Sequence, residues 1–311
     1  MKPLIDLHCD TFFAMHENPK QGNLKQNSFS VDIEKMQRGK VGASCFALFV
    51  ELQEGAEPWN EVCALHDLFV HEMTENADTI RQIKTAKDFS SNDRLGAILS
   101  CEEGQVIEGD LSRLAILGQW GVRLFTLTWN FENDLAYPNS SDKKIMGNAL
   151  KPLGLEAVSE LERQHILVDV SHLNDGGFWD VVRYAKKPFL ASHSNSRFCT
   201  SANRNLTDEM IRALASKGGV AGLNFYPPYL SDDSLHASRI EDMVRHLQHM
   251  HNIGGAEVLA LGTDFDGIEG DLEIPDISKM EKLWEALKKA DFKERELDML
   301  WQTNALRLLG E

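Results

Sequence analysis

Six short apolar runs end in residues able to do chemistry: His8-Cys9-Asp10, Glu102-Glu103, Thr128-Trp129-Asn130, Asp169-Val170-Ser171-His172, Ser192-His193-Ser194 and Asp264-Phe265-Asp266-Gly267. Five of the six supply a histidine or a carboxylate, always at the same end of the run. His8 and Asp10 stand two apart, so on a strand their side chains leave on one face. An imidazole beside a carboxylate suits a borderline divalent ion such as Zn2+. It equally suits a core histidine bonded to an aspartate. His172 and His193 close consecutive runs, and parallel neighbours lie ~4.8 Å apart, so two imidazoles at matching heights can share one ion. Each alone reads as a satisfied buried histidine. Asp264 and Asp266 can be turn residues before Gly267, and Glu102 can form an ordinary salt bridge. Convergence tips the balance, because a dry site does not tolerate several carboxylates without cations.

The runs that carry these residues span 4–8, 41–50, 95–101, 122–128, 166–170, 188–193, 220–225 and 258–263. Most are continuously apolar, the pattern of strands buried on both faces of a parallel sheet. Between them, helical periodicity covers 32–39, 59–81, 111–118, 155–165, 175–185, 207–217 and 239–252, with Asp32, Asn174 and Thr207 as N-caps. Eight βα repeats predict an α/β fold, a (β/α)8 TIM-type barrel, in which active-site residues stand at the C-terminal ends of the strands. A doubly wound sheet lacks its glycine-rich first turn here. The whole chain, 1–311, reads as one domain, with a helical segment over 277–309 packed outside the barrel; 18–27, 133–144 and 231–238 read as loops.

Composition excludes more than it selects. The 48 Asp and Glu outnumber 32 Lys and Arg, for a net charge of −16, which argues against nucleic acid or an anionic membrane as partner. Five cysteines without a CxxC pair form neither a disulfide framework nor a zinc-finger pattern. With no signal-peptide pattern and no run of ~18 apolar residues, a reducing cytoplasm is the expected compartment. P-loop, GxSxG, GxGxxG and HExxH motifs are absent. His246, His249 and His251 read as the solvated face of one helix, and His16, His66, His71 and His236 have no partner pattern.

Taken in order, the motifs resemble the renal (membrane) dipeptidase family of zinc dipeptidases, among the amidohydrolase-type barrels. Asp6-Leu7-His8-Cys9-Asp10-Thr11 resembles the opening DxHxD(T), and Ser100-Cys101-Glu102 the segment of the bridging glutamate. Gly121 to Asn130 resembles the fourth-strand signature, Asp169-Val170-Ser171-His172 and Ser192-His193-Ser194 the two histidine strands. Arg204-Asn205 and Gly262-Thr263-Asp264-Phe265-Asp266-Gly267 complete the series. The resemblance implies two Zn2+ per chain, one held by His8 and Asp10, the other by His172 and His193. Glu102 and a water or hydroxide would bridge them. It implies Asp264 as acid and base, preferred over Asp266 for its place nearer the strand end, and Arg204 as the receptor of a terminal carboxylate.

Two departures stand out. Trp129 occupies the place of a frequent histidine, leaving the oxyanion contact to its indole N–H or to Asn130. Glu103 replaces a usual glycine, adding charge beside the bridging ligand and narrowing the substrate range. The activity implied is dipeptide hydrolysis (L,L, with L,D also open) by a homodimer. Two alternatives stay open: a metal-dependent amidohydrolase acting on N-acyl amino acids, lactams or phosphoesters, and a non-catalytic barrel subunit.

Overall fold

The computed structural model describes residues 1–310 other than 54, 91–92 and 234–236; His236 and part of the expected loop 231–238 lie outside the described residues. The strands are β1 (Leu4–Cys9), β2 (Val41–Phe49), β3 (Ile80–Gln82), β4 (Leu95–Glu102), β5 (Val122–Thr126), β6 (Leu167–Asp169), β7 (Leu190–Ala191), β8 (Val220–Leu223), β9 (Ala237–Ser238), β10 (Leu259–Leu261) and β11 (Asp271–Leu272). Parallel pairing runs β2-β1-β10-β8-β7-β6-β5-β4, and β2 returns to β4 from Ala43↔Gly96 to Phe49↔Glu102. The ring therefore closes, a (β/α)8 barrel whose strands are buried on both sides, as continuous apolar runs require.

Two apolar layers hold the ring. Ile5, Leu7, Ala43, Cys45, Ile98, Leu124, Leu190, Val220 and Ala260, drawn from seven of the ring strands, pack together with Ala305, Leu308 and Leu309. The C-terminal helices lie outside the barrel, and the last, Asn304–Leu309, seals the end away from the site. A larger layer joins the strands to the helices around them. Asp32, Asn174 and Thr207 cap their helices, accepting from Lys35, Gly177 and Met210 N–H. Among the described residues no helix is long and apolar enough to cross a membrane.

The helix expected over 59–81 covers Pro58–Glu75 instead. The Asn76 side chain donates to Glu72 O (2.9 Å), and Ile80, fully buried, pairs with Leu95 as β3. A tertiary partner claims a β-branched segment that periodicity alone assigned to the helix. Several strands also stop sooner than their apolar runs. Beyond them, buried side chains replace the ladder: Ser192 N–H donates to Asp169 (2.9 Å), Asn224 N–H to Asn195 (2.7 Å) and Thr263 N–H to Asp6 (2.9 Å).

The solvated helix face expected for three histidines is met only in part by His249 and His251, which are half-buried and pair with Asp208 and Glu296, and it fails for His246. That residue is fully buried, accepts from Ser196 N–H at Nδ1 (3.1 Å) and donates from Nε2 to Leu230 O (3.0 Å). It ties the helix Ile240–Gly254 to the loops behind the barrel mouth. Burial pushes its pKa down to about 4, whereas an unfolded histidine titrates near ~6.5. Its contribution is complete above that value and is lost as pH falls toward about 4, because the unfolded chain takes up the proton first. Full expression is on the order of 3 kcal/mol. Urea midpoints for wild type and His246→Asn should differ most at about pH 7, and the gap should narrow steadily as pH falls toward about 4. A gap that stays constant would refute the assignment.

Candidate metal centre

The strand ends aim six side chains at one point. His8 Nε2 lies 3.4 Å from Asp10 Oδ2, 3.3 Å from Glu102 Oε2 and 3.7 Å from Asp264 Oδ1. The other oxygen of Glu102, Oε1, lies 3.3 Å from His172 Nε2 and 3.5 Å from His193 Nε2. The glutamate thus spans two donor sets, one oxygen to each. All six residues are at most 9% exposed. Tetrahedral coordination with bonds of ~2.0–2.2 Å separates donor atoms by about 3.3–3.6 Å. The carboxylate contacts of Asp10 and Glu102 match this spacing, while the two Nε2 atoms of His172 and His193 stand closer at 2.9 Å.

Hydrogen positions sharpen the fit. Ser192 gives its hydroxyl hydrogen to Asp169, so its oxygen accepts from His193 Nδ1, 2.7 Å away. His172 Nδ1 donates to Asn130 Oδ1 at 3.0 Å. Both Nδ1 hydrogens being committed, each Nε2 presents a lone pair, yet the two Nε2 atoms are 2.9 Å apart with Glu102 Oε1 beside them. Three acceptors with no proton between them repel. A cation at their centre turns repulsion into coordination. His8 Nε2, Asp10 Oδ1 and Glu102 Oε1 are also buried without a hydrogen-bond partner among the described residues, a costly condition unless an ion fills it.

Burial raises the pKa of Glu102, opposed by His8 and reinforced by Asp10 and Asp264. Asp264 is raised in the same way, by burial first. Burial would lower His8, but Glu102 and Asp10 outweigh it and hold the imidazole well above its usual value. His172 and His193 are pushed well down by burial and nearby positive charge. Carboxylates that resist ionisation in a protein-only site ionise readily against cations.

Local backbone serves this geometry. His172, Asp264 and Asp266 have φ of 66°, 62° and 71°, left-handed values that Asp and His tolerate better than most residues. Gly267 gives Asp10 its room: a Cβ there would stand 2.0 Å from Asp10 Oδ2. Asp266 is engaged elsewhere, accepting from Thr11 Oγ1 (2.6 Å) and Ser30 N–H (2.6 Å), whereas Asp264 faces His8 and accepts from Asn224 Nδ2 (2.7 Å). Both aspartates line the pocket, and Asp264 is the one within 3.7 Å of His8.

A pocket of about 480 Å³ opens above the cluster, large enough for a small ligand. Its wall includes Phe13, Phe49, Trp129, Tyr226 and Tyr229, with Glu51 and Glu269 among its outer residues. Trp129 and Asn130 line it, although the Asn130 oxygen is turned to His172. Arg204 does not. It is 5% exposed, donating to Ser194 Oγ and His193 O, with its guanidinium 5.6 Å from the Tyr229 ring and its Nε–H unpartnered among the described residues. Glu103 stands next to the bridging glutamate but does not line the pocket; its carboxylate accepts from Trp129 N, Gln105 N and Asn133 Nδ2. Asp169 and Ser192, which stand in the two histidine motifs, orient the cluster, and so does Asn224, which belongs to no motif. The signal for Asn224 was a polar residue inside an apolar strand end.

The model of the membrane dipeptidase family, peptidase family M19, matches residues 1–311. An uncharacterized protein of the pqqA 5' region from Klebsiella pneumoniae is 31% identical over 262 residues, 81% of this chain and 94% of that protein. In structure, a metallopeptidase from Rhodobacter sphaeroides, liganded with a phosphinate mimic of L-Ala-D-Ala, superposes with a TM-score of 0.90 at 24% identity, covering 99% of this chain and 98% of that one. The M19 metallopeptidase described as dipeptidase AC also gives 0.90, at 25% identity and the same coverage.

Gly267→Ala should fold normally while displacing Asp10. Chelator competition should then show divalent-metal affinity lower by about tenfold or more, and unchanged affinity would detach Asp10 from the metal.

Proposed function

The chain belongs to the membrane dipeptidase family, peptidase family M19, and is a metallo-dipeptidase; from that premise we propose that it works with two zinc ions and accepts L,D as well as L,L dipeptides. His8 and Asp10 would hold one ion and His172 and His193 the other, with Glu102 offering one carboxylate oxygen to each. One observation carries the reading: His172 Nε2, His193 Nε2 and Glu102 Oε1 converge within 2.9 to 3.5 Å, while both Nδ1 atoms have partners of their own in Asn130 and Ser192. The mixed nitrogen and oxygen donor set, without thiolate, suits zinc. The dipeptide mimic held by the Rhodobacter sphaeroides structure supports a D-residue at the second position.

The metals, when bound, supply Lewis acidity to a carbonyl oxygen and lower the pKa of water. Asp264 is the proton carrier. Its Oδ1 faces the cluster 3.7 Å from His8, while Asn224 fixes its Oδ2. It takes the proton of the attacking water and delivers it to the leaving amine. Arg204, which does not line the pocket, would receive the substrate's terminal carboxylate on its unpartnered Nε–H once the neighbouring Tyr229 ring gives way. An anchor at a set distance from Asp264 limits substrates to short peptides. The aromatic wall excludes water and chooses among side chains.

Metal analysis should find two zinc ions per chain, and chelation should abolish turnover of L-Ala-L-Ala and L-Ala-D-Ala until zinc is restored. Full activity without metal would end the proposal. Asp264→Asn should keep its metal and lose about 100- to 10,000-fold in kcat; wild-type turnover would exclude Asp264 as the carrier.

Arg204→Ala should raise KM for dipeptides and spare dipeptide amides, which lack the carboxylate. Equal losses for both substrates would assign Arg204 to structure alone.

A further inference from the structure

β4 delivers Glu102 to the cluster, and the next residue leaves the strand in an unusual way. Glu103 has φ 100° and ψ 106°, a region that glycine enters freely and other residues only under strain. It is fully buried. Its carboxylate collects three N–H groups: Asn133 Nδ2 at 2.6 Å, Gln105 N at 2.7 Å and Trp129 N at 2.9 Å. Backbone contact backs up these bonds, since a Cβ on Gly104 would lie 2.3 Å from Leu127 O.

What the carboxylate holds faces the pocket. The Trp129 indole packs edge-on against Phe49, with centroids 4.8 Å apart, and lies 6.2 Å from the His172 ring. The next residue, Asn130, accepts the Nδ1 hydrogen of His172. We propose that Glu103 is a positioning residue: through the Trp129 amide it sets the aromatic wall of the pocket and the orientation of His172. A turn alone would need no acid here. Glycine would form it without strain and without burying a carboxylate, so the strain and the burial have to be offset by what the three hydrogen bonds align.

A merely local role is the competing account, because the Gln105 bond also caps the short 3-10 turn Gly104–Ile107. Three variants separate the accounts. Glu103→Ala keeps the strain and removes the acceptors; Glu103→Gly removes both; Glu103→Gln keeps the volume and one acceptor oxygen. Hydrogen–deuterium exchange over 127–136 reads the clamp directly, without reference to activity. The kinetic arm, turnover of L-Ala-L-Ala, rests on the dipeptidase reading.

Both Glu103→Ala and Glu103→Gly should speed exchange at 127–136 by about tenfold or more. Both should lower kcat/KM by up to about 100-fold, mainly through KM. Glu103→Gln should fall between them and wild type, and Glu103→Gly should melt higher than Glu103→Ala. Wild-type exchange and kinetics in the alanine variant would overturn the proposal. So would full recovery of activity in the glycine variant, which would leave backbone conformation as the whole effect. If the wild type turned over no dipeptide, the functional reading would fail while exchange still tested the clamp.

Discussion

The constraint on which the rest of this structure depends is charge withheld from water. Asp10, Glu102 and Asp264 share one end of the barrel with three imidazoles, all nearly inaccessible to solvent. Each buried carboxylate would cost several kcal/mol if left unpaired. Protons can relieve that cost in part, as the raised pKa values of Glu102 and Asp264 indicate. They serve poorly where His172 and His193 meet, because the two Nε2 atoms lie 2.9 Å apart and burial pushes both imidazoles well below their usual pKa, against taking up a proton. A divalent cation satisfies both demands at once, which is why the cluster makes sense as the floor of a metallo-dipeptidase pocket.

Around this floor runs a layer of polar residues whose work is orientation. Asp169 takes hydrogen bonds from Thr126, Ser171 and Ser192, and through Ser192 fixes which nitrogen of His193 is bare. Asp6 receives Thr263 N–H and Oγ1–H, directing the strand that ends at Asp264. Asn224 holds Asp264 from the neighbouring strand end. These residues replace ladder bonds where the strands stop. The shortness of β6, β7 and β10 at the mouth is therefore part of the site's construction, and supporting shells of this kind tune metal affinity.

Strain gathers at the same place. Of the non-glycine residues with positive φ, Glu103, His172, Asp264 and Asp266 all stand at these strand ends. Such conformations persist where surrounding bonds over-determine them. Here the bonds come from other strands: Asp264 N–H donates to His8 O, and Asp10 N–H to Phe265 O. Barrel closure is thus felt at the level of single peptide groups, since the ends of β1 and β10 hold each other's terminal turns.

Much of this was legible in the chain itself. Continuous apolar runs alternating with helical periodicity determine a parallel barrel, because strands buried on two faces have no polar alternative. Histidines and carboxylates at strand ends then fall on one rim. The residue types at that rim and the N-caps at Asp32, Asn174 and Thr207 needed nothing further. What the sequence by itself could not determine depends on partners distant along the chain. The helix after 58 ended early because Ile80 found Leu95. His246 proved buried because two loops close over it. Asp264 and Asp266 took different partners, Asn224 for the one and Thr11 and Ser30 for the other. Glu103 turned out to face Trp129 and Asn133. Residue type and local period set which groups reach the barrel mouth. Where each group points is a matter of hydrogen bonds between segments far apart in sequence, and only the closed fold brings those donors and acceptors within reach.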